Sequence, residues 1–414
     1  MPDHWLNTLA PELKVEIILH LSKPTTIAGC SREWYNIVNL PFAKAKWLIS
    51  RHGKTHALFH AVRMGKPFIN PDVVECLFAQ GAHISRYFIQ RLVLGFGECD
   101  RSLIDLKQKY NIGPPDPFPN TLIQDKTCSS WASSLPVDVY FRLLKKGCDR
   151  FGEENISVRG NDMEKFYYLS GGPLGTSQSR VEIQKNMDEI KELIGEHKFV
   201  PFPPKPGIRN PYLPCDISNG YTDVLKWNII ARPIQFCLEL VNLWKENGYH
   251  EVVAETNDIV IRGSLLFLYR QEYEEWVPEL KQVVEKLSDL QSYGFKLTDK
   301  LVGDALRLFE NRLDFANIGE TLVEAFAIVR KQLKEDILII CLTELLHPKR
   351  HVEQYDSLDF IISRVNKPED KILYAFEKYG YSTNDGVYEY MLEKFGARSR
   401  VAMYLYDKPK YTVE

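Results

Sequence analysis

Hydrophobic positions along this chain recur at helical spacing, and one short pattern of apolar residues and glycine occurs several times. Two apolar residues lie three positions apart, a glycine follows four positions after the second, and an apolar residue comes next. The apolar pair lies on one helix face, and a glycine at this offset is typical of a left-handed helix C-terminus. The pattern has its glycines at Gly81, Gly147, Gly248, Gly294 and Gly380.

This pattern predicts an all-α protein in which helices end sharply and the chain returns to the core. We predict positive-φ helix ends at Gly81, Gly147, Gly294 and Gly380. Gly81 and Gly147 are 66 positions apart, about twice a repeat period of roughly 33 residues. No run of alternating β-branched residues bounded by turns indicates a sheet. The spacing becomes irregular in the C-terminal half, so a regular array is not expected there.

The N-terminal stretch 9–38 predicts two short helices with more apolar surface than they can bury against each other. Pro11 and Glu12 suit the first turn of the first helix, which Ser22, Lys23 and Pro24 end. This helix is apolar nearly all round, through Leu13, Val15, Ile17, Ile18, Leu19 and Leu21. The second helix is predicted to begin at Thr25 or Thr26, with an apolar stripe of Ile27, Cys30, Trp34, Ile37 and Val38. The surplus requires a partner surface, either within the chain or on another protein.

The stretches "LAPELKVEIILHLS" and "CSREWYNIV" together resemble an F-box. Ala10 replaces the first proline of the family pattern, and the link between Leu21 and Trp34 is about two residues short. The residues that match the pattern are Leu9, Pro11, Glu12, Leu13, Glu16, Ile17, Leu21, Ser31, Arg32 and Trp34. The resemblance implies docking onto the Skp adaptor of cullin–RING ubiquitin ligases. The adaptor-binding side chains would be Leu9, Pro11, Leu13, Ile17, Leu21 and Trp34.

Two further stretches resemble ankyrin repeats. "VVECLFAQGAHIS" at 73–85 is similar to the second helix and the finger of a repeat, and "GKTHALFHAVRMG" at 53–65 is similar to the preceding helix. An F-box followed by such helices resembles the organisation of the expanded F-box proteins of early-diverging filamentous fungi. The resulting fold expectation is an F-box helical hairpin followed by a degenerate ankyrin-like helical solenoid. The expected divisions are an F-box at 1–50, ankyrin-like repeats at 51–198, a proline-rich linker at 199–217 and a C-terminal helical repeat domain at 218–414.

Composition and charge suggest an intracellular globular protein. The chain has 44% hydrophobic and 26% charged residues and a net charge of −3, so no overall basic field points to nucleic acid. The N-terminus lacks the features of a signal peptide, and the longest apolar run, 337–342, is too short to cross a membrane. We therefore expect a cytoplasmic or nuclear location with no membrane contact. Scattered positions and the absence of CxxC pairs predict buried, reduced thiols at Cys30, Cys76, Cys99, Cys128, Cys148, Cys215, Cys237 and Cys341.

No sequence feature indicates catalysis, a cofactor or a metal. His52, His56 and His60 have the spacing of one helix face, but Gly53 favours a helix start between them and no companion ligand lies nearby in sequence. We predict a structural role for the three. Nucleotide-binding, hydrolase and kinase signatures are absent.

Residues 35–71 contain no acidic side chain, which leaves two interpretations open. They carry Lys44, Lys46, Arg51, Lys54, Arg63 and Lys66. The cluster is either a solvated helix face or a docking surface for an acidic or phosphorylated partner. A strand-binding nucleic-acid groove is disfavoured because aromatic residues are not interleaved with the cations.

These features favour a non-catalytic substrate-recognition subunit of a Skp–cullin–F-box ubiquitin ligase. Its partners would be the Skp adaptor, the cullin scaffold and a target protein that the sequence does not name. The alternative is an ankyrin-like interaction scaffold with no ligase role, in which the N-terminal helices only cap the stack of repeats.

Overall fold

Every regular element of the described chain is helical, which confirms the all-α prediction. A computed structural model describes residues 9–96, 131–132, 135–156, 161–170, 184–202, 229–269, 278–347, 355–379 and 385–406. Within these ranges there is no β-strand.

The chain divides into two compact units, Met1–Val253 and Ala254–Glu414. The sequence instead places its main boundary in the proline-rich segment 199–217. The described start of that segment packs inside the first unit, because its aromatic and aliphatic side chains are apolar. Phe199 stacks on Phe166 with ring centroids 5.0 Å apart, and Phe202 lies 4.6 Å from Phe59. Residues 203–217 lie outside the described ranges.

The first unit is a succession of short helices, one of which is broken at a glycine. α4 contains Gly53 with φ 69° and ψ 165°, so its two halves are separate helical segments. A 3₁₀ turn, Glu153–Asn155, follows α7, and α12 contains the division between the units. The helices are α1 (Pro11–Leu19), α2 (Thr25–Ala28), α3 (Arg32–Asn39), α4 (Pro41–Met64), α5 (Pro71–Ala79), α6 (Arg86–Gly95), α7 (Val137–Phe151), α8 (Asp162–Leu169), α9 (Met187–Gly195), α10 (Arg232–Phe236), α11 (Leu240–Glu246) and α12 (His250–Glu255).

The second unit is built from two rows of helices. In one row α13, α15, α17, α19 and α21 contact one another in that order, and in the other α14, α16 and α18 do so. The helices are α13 (Asn257–Tyr269), α14 (Leu280–Ser292), α15 (Asp299–Arg307), α16 (Phe315–Arg330), α17 (Lys334–Leu345), α18 (Asp356–Ile362), α19 (Pro368–Tyr379), α20 (Asp385–Phe395) and α21 (Arg400–Tyr406).

The glycine pattern marks real helix ends in three of its copies. Gly81 has φ 83°, and its N–H donates to the Phe78 carbonyl while the N–H of Ala82 donates to that of Leu77. This pair of bonds defines a Schellman C-cap. Gly248 and Gly294 have φ 88° and 94° and the same two bonds. The predictions for Gly81 and Gly294 are therefore confirmed, and Gly380 lies outside the described residues.

The prediction for Gly147 is wrong, because this residue lies inside α7. A Cβ at this position would come within 2.5 Å of the Ile89 side chain on α6. The glycine is needed for a close approach of two helices and not for a helix stop. The same capping bonds occur at Lys331, which has φ 56° and no glycine. The sequence pattern therefore missed the cap at Lys331 and misassigned Gly147.

Gly147→Ala is expected to lower the free energy of unfolding by about 1–3 kcal/mol, because Ile89 is fully buried and has no room to move. Gly195→Ala, in α9, is the matched control. A Cβ there would lie 3.5 Å from Leu243, an ordinary contact, and alanine favours a helix over glycine by about 1 kcal/mol. Urea denaturation followed by circular dichroism gives the unfolding midpoints of the two variants for comparison. Equal midpoints for both variants would contradict the close-approach explanation.

The predicted second N-terminal helix is two helices, and this changes the position of one cysteine. α2 ends at Ala28, and Ser31 caps α3 by accepting a hydrogen bond from the N–H of Trp34 at 3.3 Å. Cys30 therefore lies in the turn between them and is exposed, so its predicted burial is wrong. Among the other described cysteines Cys341 is buried, while Cys76, Cys148 and Cys237 are partly buried.

Candidate docking surface on the N-terminal helices

The N-terminal helices α1 to α3 form a hairpin-like cluster with a complete apolar interior. α1 contributes Val15 and Ile18 to this interior, and α3 contributes Trp34, Ile37 and Val38 at helical spacing. All of these side chains are buried. The inner faces of α1 and α3 are thus covered by the chain itself.

A buried lysine fixes α1 against α3. Lys14 has no exposed surface, yet its ammonium group pairs with the half-exposed carboxylate of Glu33 and lies 5.7 Å from the ring centroid of Trp34. The ion pair and the cation–π contact compensate for the removal of the charge from water. Sequence reasoning missed Lys14, because nothing in the local pattern separates a buried lysine from an exposed one.

Trp47 joins the N-terminal cluster to the helices that follow. Its indole N–H donates to the Leu21 carbonyl at 2.9 Å, and its ring lies 5.9 Å from that of Phe68. An ion pair between Lys46 and Glu16 adds a second link between α4 and α1. A cut after residue 50 would therefore divide α4 and expose this interior.

The predicted adaptor-binding residues fall into an exposed row and one buried residue. Leu9, Leu13, Ile17 and Leu21 recur every four residues; Leu13 is 54% exposed and the others are partly exposed. Pro11 is also exposed. Trp34, at 1% exposure, has no surface to offer a partner. Its predicted contact role is corrected to a supporting one, because α3 turns its apolar stripe inward against α1.

Three large apolar side chains near the end of α3 were not predicted. Tyr35, Leu40 and Phe42 are each about half exposed. Leu40 and Phe42 lie at the joint between α3 and α4, where no helical stripe exists to mark them. They add exposed apolar area to α3 and to the start of α4.

The basic stretch is less positive than its composition suggests. Lys46 is paired with Glu16, and Lys44 donates to the Phe68 carbonyl at 3.3 Å while lying 5.2 Å from the Phe68 ring centroid. Burial lowers the pKa of Lys44. The exposed cations are then Arg51, Lys54, Arg63 and Lys66.

The three histidines come together despite the break at Gly53. The rings of His52 and His60 stack with centroids 3.6 Å apart. Nε2 of His56 lies 3.1 Å from the Tyr249 hydroxyl and 3.3 Å from the Pro201 carbonyl oxygen. Burial lowers the pKa of His56 to about 4, and burial with the charges of His52, His56 and Arg63 lowers the pKa of His60 to about 3. Both imidazoles are therefore neutral at pH 7.

Within the described ranges, no group of three or more His, Cys, Asp or Glu side chains has an arrangement that would hold a metal ion. None of the described helices is both long and apolar enough to cross a bilayer. Comparisons of the chain with protein-family models, with curated proteins and with solved structures gave no match.

Proposed function

We propose that this chain is the substrate-recognition subunit of a Skp–cullin–F-box ubiquitin ligase, and that the Skp adaptor docks on the outer face of α1. The observation that carries this proposal is the row Leu9, Leu13, Ile17 and Leu21, on α1 and the residues that flank it. Leu13 is 54% exposed and the other three are partly exposed, while the inner face of α1 is already packed. An apolar row of this kind on a folded surface is typical of a protein-interaction site.

Energetics favour an external partner for the row. Fully burying one leucine or isoleucine side chain contributes about 1.5–3 kcal/mol, so covering several of them supplies much of the free energy that a stable complex needs. Tyr35 on α3 and Phe42 at the start of α4 offer further exposed apolar area, and aromatic residues are enriched in binding hot spots. The resemblance of 9–38 to an F-box identifies the Skp adaptor as the partner of this chemistry.

The helices that follow have features suited to holding a target. The proposal of an ankyrin-like solenoid is supported by glycine-capped helix ends at Gly81, Gly248 and Gly294 and by two rows of helices in the second unit. In the copy at 53–85, the N–H of His83 also donates to the Lys54 carbonyl at 2.9 Å, joining the finger to the preceding helix. Solenoids present extended surfaces for protein partners, so target recognition is assigned to the repeats.

Leu13→Asp is expected to abolish co-purification of the Skp adaptor while leaving the fold intact. Leu13 lies in the first turn of α1 and is 54% exposed, so an aspartate there faces water in the free chain and suits the helix N-terminus. In the complex the carboxylate would be buried without a partner, which is costly. Affinity purification with mass spectrometry measures the adaptor and the cullin.

The matched control is Phe141→Asp, on α7 of the same unit. Phe141 is 60% exposed and lies outside the N-terminal cluster, so adaptor binding is expected to remain at the wild-type level. Retention of the adaptor by Leu13→Asp, or loss with both variants, would contradict docking on α1.

The alternative function is an interaction scaffold with no ligase role. In that case the N-terminal helices only cap the repeats, and no target is delivered for degradation. Expression of Leu13→Asp in the intact chain separates the two functions. A receptor that cannot bind its adaptor still holds its target, so quantitative proteomics should find a protein that is both bound and longer-lived. The absence of such a protein would favour the scaffold.

A further inference from the structure

The second unit has a cavity of about 250 Å³ between α15, α17 and α19. It is smaller than the roughly 300–1,000 Å³ that drug-sized ligands occupy. Its size suits one long side chain of a partner better than a complete small molecule. The three helices belong to the same row of the unit, so an extended segment lying across that row would place a side chain in the cavity.

Three of the nine residues that line the cavity give it apolar and aromatic surface. Ile339 and Ile340 on α17 are partly exposed within it. Tyr374 on α19 lines the same cavity and is 50% exposed. These groups can cover the aliphatic stem of a long side chain and offer a ring face to a flat terminal group.

Carboxylates dominate the charge of the lining. Asp299, Asp336 and Glu344 line the cavity, and Lys378 is the one cationic lining residue. Asp299 is already paired, since its Oδ1 accepts a hydrogen bond from Nη2 of Arg330 at 2.6 Å. Asp336 uses Oδ2 to accept the N–H of Leu333 at 3.2 Å. The lining therefore carries three carboxylates and one ammonium group.

We propose that this cavity, called here the α17 pocket, binds an arginine side chain presented by an extended segment of the target protein. A guanidinium is planar, stacks on aromatic faces and donates in a fork that matches a carboxylate. In the α17 pocket it would stack on Tyr374 and donate to Asp336, with its stem on Ile339 and Ile340. A lysine ammonium has neither the flat face nor the fork, so it fits less well.

The inference rests on the proposed function in one respect, because it takes the arginine to belong to a target protein. Its test needs neither the adaptor nor the N-terminal cluster. Isoleucine methyl NMR of the full chain is recorded during titration with the amides of N-acetyl-arginine, N-acetyl-lysine and N-acetyl-citrulline. Citrulline is the neutral counterpart of arginine with nearly the same shape. A negative result in this titration would therefore not contradict adaptor docking on α1. A negative result for adaptor docking would likewise not change what this titration measures.

The arginine compound is expected to shift the Ile339 and Ile340 methyl signals saturably. It should bind about tenfold more tightly than the citrulline compound, because the charge-assisted fork is lost, and more tightly than the lysine compound. Tyr374→Ala and Asp336→Asn should each weaken arginine binding several-fold. Tyr374→Phe keeps the ring and should retain binding, and Tyr406→Ala removes an exposed ring outside the pocket and should change nothing.

Three outcomes would overturn the proposal. One is the absence of a saturable shift at either isoleucine. Another is equal affinity for the arginine and citrulline compounds. The third is undiminished arginine binding by both Tyr374→Ala and Asp336→Asn.

Discussion

Asp162→Ala is expected to lower the free energy of unfolding by about 3–5 kcal/mol. Asp162 is the first residue of α8 and is almost wholly buried. Its carboxylate accepts hydrogen bonds from Nε and Nη2 of Arg86, the first residue of α6, the shortest at 2.7 Å. Removing the carboxylate leaves a largely buried guanidinium without its ion-pair partner. Urea denaturation followed by circular dichroism measures the loss.

The exposed pair Glu75–Arg142 is the matched control for this buried pair. Its Oε1–Nη1 distance is 2.8 Å, close to that of the Asp162 pair, but both side chains are more than 40% exposed. Glu75→Ala is therefore expected to cost less than about 1 kcal/mol. The double variant Arg86→Met with Asp162→Leu should recover much of the loss, because no charge is then left buried. A small loss for Asp162→Ala, equal to that of Glu75→Ala, would contradict the argument.

Acidification from pH 6.5 to pH 4 is expected to destabilise the first unit by about 3 kcal/mol through His56 alone. Burial lowers the pKa of His56 from its usual 6.5 to about 4, since the charged imidazole loses its hydration there, and the charge of the neighbouring His52 lowers it further. Between these two pH values the unfolded chain binds a proton that the folded chain does not. This stabilisation is complete above pH 6.5, falls as the pH decreases, and falls no further below pH 4.

His56→Gln isolates this effect from the titration of carboxylates over the same range. The amide can still donate to the Pro201 carbonyl, which lies 3.3 Å from Nε2 in the wild type, and it does not titrate. The variant should show a smaller loss of urea midpoint between pH 7 and pH 4 than the wild type. Identical pH dependence of the two proteins would show that His56 titrates as it does in water.

The sequence by itself determined the helical class and many of the helix ends, because both depend on residues close together in the chain. Gly81 and Gly294 were identified as stops since a left-handed cap is set by a glycine and the apolar residues around it. Ser31 also caps α3 through a side chain three residues from its donor, although the sequence prediction continued one helix through this position. The exposed row on α1 also follows from local spacing, as Leu9, Leu13, Ile17 and Leu21 recur on one face.

Only the tertiary structure decided which surfaces are covered, because burial depends on segments far apart in the chain. The sequence predicted that Trp34 contacts the adaptor, but in the structure Trp34 packs against α1 and is buried. Gly147 had the pattern of a helix stop, but its role is set by Ile89, 58 positions earlier. The α17 pocket joins Asp299, Asp336 and Tyr374 from three helices. The charge, shape and burial of these sites arise from packing between helices, so they cannot be predicted from a local pattern in the sequence.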